Sequence, residues 1–256
     1  TFPGKGGSLG VVLSMQGDSD GALDLFYQAL AIARRSGVDS LVVNALNNLG
    51  SFQTDLYNLE DARPLLEECL AGAMRIGSRR QTIYAAGNLV QCLCLLGKPA
   101  DALATAREHL IGQIRADDLP ALHRDEEIAQ ALLDNGLVDE AQATLGGEVH
   151  SDPMSNELAT ARVWLGARIL LARGNARDAL QLCLARQAML REQSEESTVA
   201  IDRVTLLRVA AQAACGVGDH AQLFAGMGVR MMDAVRPPEP EARRHERWVQ
   251  SQRPHI

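Results

Sequence analysis

Apolar residues recur along this chain with a helical rather than a strand period. Ala22, Phe26, Ala29 and Ala33 fall at spacings of four, three and four, which puts one apolar stripe on a helix of about 3.6 residues per turn. Between such stretches lies a recurring junction, usually a glycine, a short polar turn, then a polar or small residue followed by alanine. It runs from Gly17 to Ala22, Tyr57 to Ala62, Gly97 to Ala102, Gly136 to Ala141, Gly174 to Ala179 and Gly218 to Leu223. The closing residues of successive junctions are 40, 40, 39, 38 and 44 positions apart, and so even a period marks a repeat array.

The junction has a physical reading. Glycine accepts the left-handed conformation that ends one helix, and Asp or Ser caps the next, so each repeat is predicted to be two antiparallel helices. Twelve positions before each closing residue stands a small or tolerant one: Gly10, Gly50, Val90, Ala129, Ala167 and Ala211. In five repeats it follows an apolar residue (Leu9, Leu49, Leu89, Ile128, Ala210), with Gly166 as the exception. Small side chains at a shared level let paired helices touch and fix their crossing. Composition agrees, because aromatics are only 4% while the apolar set reaches 46%, so the core is built mainly from Ala, Leu, Val and Ile, a mixture that favours close helices.

The run Asn44-Ala-Leu-Asn-Asn-Leu-Gly50 followed by Asp61-Ala62 resembles the tetratricopeptide repeat in a longer form of about 40 residues. The resemblance covers residues 8 to 233. It thins after the third repeat, where Gly147, Asp152 and Pro153 interrupt the fourth and Leu223 replaces the junction alanine of the sixth. It implies an all-α, right-handed superhelical solenoid of about six helix-turn-helix repeats with a concave groove. A generic helical bundle, or another solenoid of helical pairs such as the HEAT type, is the alternative. On this reading residues 1–7 form a flexible N-terminal segment, 8–233 the repeat domain, and 234–256 a Pro- and Arg-rich tail or connector helix, with a lid over the last repeat as its other reading. A first residue that is not Met and this terminal segment fit a piece of a longer protein.

In such arrays the first helix of each pair lines the concave surface. The resemblance therefore directs attention to Asn47, Asn48 and Ser51 in the second repeat and to Asn88 and Gln91 in the third, with Gly87 beside them. Asn48 and Asn88 are 40 positions apart and equivalent, and an asparagine amide both donates to and accepts from a peptide backbone. Tyr84, Gln130, Trp164, Arg168, Arg208 and Gln212 occupy neighbouring offsets, adding aromatic and cationic anchors of the kind that interfaces favour. The competing reading gives the Asn residues to helix or inter-repeat hydrogen bonds and Trp164 to the core.

Catalytic and metal chemistry finds no constellation. His123 and Glu127 have helical ligand spacing but no third ligand, so a solvated charged face is the simpler reading. Cys92 and Cys94, two apart, diverge by roughly 200° on a helix and cannot clasp one ion. Pro3-Gly-Lys-Gly-Gly-Ser8 lacks the order of a phosphate loop. Two Gly-x-Ser-x-Gly runs, at Gly6 and Gly17, follow no strand. No catalytic residue, metal or cofactor is expected, and the chain is read as a non-enzyme.

Charge and cysteines narrow the partners. A formal charge of −7 argues against nucleic acid, whose binders carry basic stripes. No apolar run reaches the roughly 18 residues of a membrane span. Five scattered cysteines, an odd number, fit a reducing compartment, hence the cytoplasm. The expected function is a protein- or peptide-binding module. Long-form repeats of this kind resemble the sensor or regulatory regions of bacterial signalling proteins, with a GGDEF nucleotide-cyclase or transcriptional output domain adjacent. The alternatives are a peptide-sensing regulator with phosphatase-like action on a signalling partner and a constitutive assembly adaptor.

Overall fold

A computed structural model describes residues 19–113, 124–146 and 156–191. Among them every regular element is helical: α1 (Ser19–Ser36), α2 (Asp39–Asp55), α3 (Leu59–Arg75), α4 (Arg79–Leu95), α5 (Pro99–His109), α6 (Asp125–Asp134), α7 (Val138–Thr144), α8 (Asn156–Ala172) and α9 (Ala176–Arg191). The described residues fall into two compact units, which divide between Ala131 and Leu132. In the first unit the period read from the sequence is the period of the helices. α1, α3 and α5 start at Ser19, Leu59 and Pro99, while α2 and α4 start at Asp39 and Arg79, so both series advance by 40.

Among the described residues the repeats are built from helical pairs. α2 with α3 and α4 with α5 form the second and third repeats, α1 packs on α2, and α2 also packs directly on α4. In the second unit α8 pairs with α9 and meets α7. The expected stripe of Ala22, Phe26, Ala29 and Ala33 is buried throughout. Phe26 meets Phe52 of α2 with ring centroids 5.0 Å apart, which locks the first helix onto the second repeat.

The helix ends show why the junction recurs. Gly77, Gly97, Gly136 and Gly174 all have positive φ, each donating its N–H to the carbonyl three residues back, while the next residue donates five back, as Lys98 does to Leu93 at 2.9 Å. These bonds satisfy carbonyls that the helix end would otherwise strand. Tyr57 makes the same pair of bonds with its neighbour Asn58 at φ 57 without being glycine. Buried Gln53 braces that turn, accepting from Asn58 Nδ2 at 2.5 Å and donating to the Tyr27 hydroxyl at 3.0 Å.

The starts correct one expectation. Asp was expected to cap the following helix, yet Asp61, Asp101, Asp139 and Asp178 lie inside the first turn. The helices begin before these residues, so their carboxylates face the positive end of the helix dipole instead. Ser78, in the turn between the second and third repeats, does give a side-chain cap, accepting from the Gln81 N–H.

Small residues sit where the sequence placed them. A Cβ added at Gly50 lies 2.7 Å from two carbons of Leu66, so Leu66 of α3 fills the space that glycine leaves. Forty residues later the sizes reverse, with Val90 on α4 and Ala106 on α5, both fully buried. Ala129 in the first unit, and Ala167 and Cys183 in the second, hold the corresponding repeat positions and are buried.

Candidate peptide-binding face

The first helices α2 and α4 bury one side and present the other. On α2, Val43, Leu46, Leu49 and Gly50 are buried, whereas Asn44 and Asn48 are exposed and Asn47 and Ser51 half-buried. These four polar residues at i, i+3, i+4 and i+7 form a continuous stripe on the face away from the core. From Ser40 to Thr54 on α2, and from Gln81 to Leu95 on α4, there is no charged residue, in a chain that is 22% charged.

Side-chain amides join the two helices. Asn88 Nδ2 donates to Asn47 Oδ1 at 3.0 Å, and Gln81 Nε2 donates to Asn44 Oδ1 at 2.7 Å and to the Ser40 carbonyl at 3.4 Å. The structure thus separates the two asparagines that share a repeat position. Asn48 is exposed, but Asn88 is 9% exposed and already spends a hydrogen on its neighbour. Gln91, one turn on, is half-buried.

Tyr84 is bracketed by cations. The Arg80 guanidinium lies 5.6 Å and that of Arg124 5.0 Å from its ring centroid, distances at which the ring quadrupole attracts a positive charge. Arg124 reaches this position because Gly87 has no side chain, an added Cβ there lying 2.8 Å from its Nε. Its Nη1 also pairs with Glu127 at 3.0 Å. Burial raises the Glu127 carboxyl above its usual range, and Arg124 opposes that shift. Glu127, weighed as a metal ligand, is thus the partner of an arginine, and His123 lies outside the described residues. Gln130, on the same helix, is half-buried.

In the second unit Arg168 stacks on Trp164 at 5.1 Å and donates to Asp134 at 2.6 Å. Trp164 packs against the cluster of Val163, Ala167, Ala179, Leu180, Cys183 and Leu190, and its indole Nε1 is buried without a hydrogen-bond partner. Its ring is therefore shared between core and arginine. Arg208 and Gln212 lie outside the described residues.

The thiols are packing groups. Cys69, Cys92, Cys94 and Cys183 are free and buried. Burial pushes Cys69 and Cys183 up to about 12 and Cys92 up to about 11, so they stay protonated near neutrality, and Cys69 donates to the Val43 carbonyl at 3.3 Å. No group of His, Cys, Asp and Glu among the described residues is arranged to hold a metal ion. No described helix is long and apolar enough to cross a membrane.

Sequence reading overlooked Asn44, Gln81, Arg80, Arg124 and Asp134. Asn44 was legible, since it completes the helical spacing begun by Asn47, Asn48 and Ser51. The others act through the neighbouring repeat, and only the packing of α2 on α4 and the position of Arg124 reveal them.

Two tetratricopeptide-repeat family models match this chain, one over residues 41–110 and one over 7–36. No curated protein matches it. Among solved structures, the kinesin light chain TPR-like repeats of Podosopora anserina and a variant of them are similar, each at 14% identity and a TM-score of 0.41, covering 91% of this chain and 96% and 95% of theirs.

Proposed function

Because the chain belongs to the tetratricopeptide-repeat family, whose repeats are protein-interaction modules and generally non-catalytic, we propose that it holds a protein or peptide segment against its first helices. The observation that carries this reading is the amide and hydroxyl stripe of exposed Asn44 and Asn48 with half-buried Asn47 and Ser51, continued by half-buried Gln91 on α4. Polar side chains that pack no core and lie in one line are placed to meet a guest. Tyr84 with its two arginines in the first unit, and Trp164 with Arg168 in the second, supply the anchors; Gln130, Arg208 and Gln212 are proposed as further contacts.

The finer reading is the sensor or regulatory region of a larger bacterial signalling protein, with a GGDEF or transcriptional output domain adjacent. It rests on the likeness of these long-form repeats to such regions. The odd, scattered set of five cysteines supports a cytoplasmic location as part of this proposal.

The test is binding of peptides selected from a random library on the immobilised protein. Replacing Asn48 and Asn88 by Ala is expected to weaken a selected peptide about tenfold, the equivalent of one or two hydrogen bonds. Helicity should hold, although Asn88→Ala removes a bond within the array and lowers the unfolding midpoint slightly. Unchanged affinity in the double variant removes the groove reading.

A further inference from the structure

We propose that one edge of the first unit docks onto the opposite edge of a second copy of this chain. Turns of two or three residues join α1 to α5 in succession, and each helix packs on the next, so direction reverses at every turn. The turns between repeats therefore gather along one edge and the junctions within repeats along the other. On the first edge Arg75 reaches Asp39 at 3.9 Å and Gln81 donates to the Ser40 carbonyl at 3.4 Å. On the second, Cys92 donates to the Leu59 carbonyl at 3.6 Å. The two edges carry opposite charge. Residues 34–40, 74–80 and 107–113 hold six exposed arginines against Asp39 and Glu108. Residues 19–21, 55–61 and 95–101 hold five exposed carboxylates against Lys98.

Helix dipoles account for only half of this polarity. α1, α3 and α5 begin with acids and end with arginines, as the dipole favours. α2 and α4 run the other way, so the same preference would cancel the difference between the edges. Instead α4 opens with Arg79 and Arg80 and has no acid in its first turn, and α2 closes with Asp55 and has no cation in its last. Charges that oppose their own helix and reinforce the edge are placed for something outside the helix. The basic edge also carries Val38, Met74 and Ile111, three of the five large apolar side chains exposed among the described residues. On the acidic edge Tyr57, Leu95 and Leu96 are half-buried. Tyr57 keeps there the left-handed backbone that Gly77 and Gly97 adopt as glycines, a strain that persists where a side chain has a use.

A second copy fits because the pitch matches. Arg35 and Arg75 are 40 positions apart, as are Asp20 and Glu60, and Asp61 and Asp101. Both edges advance by one repeat per step, so two copies laid side by side keep their charges in register, and opposite signs fix that register. The contact joins unlike surfaces. Each pair leaves one acidic and one basic edge open, and further copies add on in a row.

Sedimentation velocity of the full chain tests this over a roughly hundredfold range of concentration. In about 50 mM salt the mean mass should climb with concentration above the 27.6 kDa of one chain. In about 500 mM salt, where the screening length is severalfold shorter, it should fall back to that value. Arg35→Gln with Met74→Ser and Arg75→Gln disables the basic edge, and Asp55→Asn with Glu60→Gln and Asp61→Asn disables the acidic one. Each variant should associate at least about tenfold more weakly, with circular dichroism unchanged. Mixed in equal amounts where each alone is monomeric, the two variants still offer one intact edge of each sign, so the mixture should form pairs and stop there. Association that survives either set of substitutions, or a mixture that stays monomeric or grows past two copies, overturns the proposal. A wild-type chain that stays monomeric in low salt also overturns it, and its cosedimentation with anionic phospholipid vesicles would then give the basic edge to a membrane surface.

Discussion

Gly50 and Val90 hold the same place in successive repeats, and their partners across the helical pair, Leu66 and Ala106, differ in the opposite sense. Side-chain volume is thus shared between two positions rather than fixed at either. Gly50→Val drives methyl groups into Leu66, whose carbons lie 2.7 Å from the first added atom, and should cost about 1–3 kcal/mol. Leu66→Ala leaves a cavity worth about 2–5 kcal/mol. Together they recreate the pair found in the next repeat, so the double variant should recover at least about 1 kcal/mol relative to the sum of the singles. Urea unfolding of the four proteins measures this, and strict additivity contradicts it.

At the scale of the helix and its ends, the left-handed residue after each helix decides where one repeat element stops. Tyr57 occupies that conformation at φ 57 where Gly97 and Gly77 do so at φ 68. Comparing Tyr57→Gly with Tyr57→Ala removes the ring in both cases, and the glycine variant should be the more stable by about 1–2 kcal/mol, although alanine is the better helix former. Gly97→Ala should cost a similar amount, since nothing lies within 4 Å of its added Cβ and only backbone strain acts. Thermal unfolding checks both. The helices were legible in the sequence because Gly97, Gly136 and Gly174 punctuate an even period. Gly37 and Gly77, which close the second helices, belong to the same pattern but sit between repeats and escaped it. The site was less legible. Asn47, Asn48 and Ser51 declare themselves by helical spacing, whereas the burial of Asn88 depends on which helix lies next to it, something a single repeat does not encode. Trp164 reads equally as core or anchor for the same reason, and its ring does serve the core cluster.

Over the whole molecule, the chain separates two tasks. Charge is absent from Ser40 to Thr54 on α2 and from Gln81 to Leu95 on α4, while ion pairs such as Arg34 with Glu68, at 2.8 Å between the second helices α1 and α3, lie on exposed positions elsewhere. In a repeat protein each unit is stabilised by its neighbours, which here includes the amide bonds between α2 and α4. Those bonds therefore serve both the array and the face it offers. The most direct measurement is a nitrogen-edited NMR titration of the side-chain amides with a library-selected peptide. The Nδ2 signals of Asn44, Asn47 and Asn48 and the Nε2 signal of Gln91 should shift together, while those of Gln53 and Asn58, bonded to each other beside the Tyr57 turn, stay in place. Shifts confined to Gln53 and Asn58, or absent from the α2 stripe while the peptide is bound, would contradict the assignment of this face to binding.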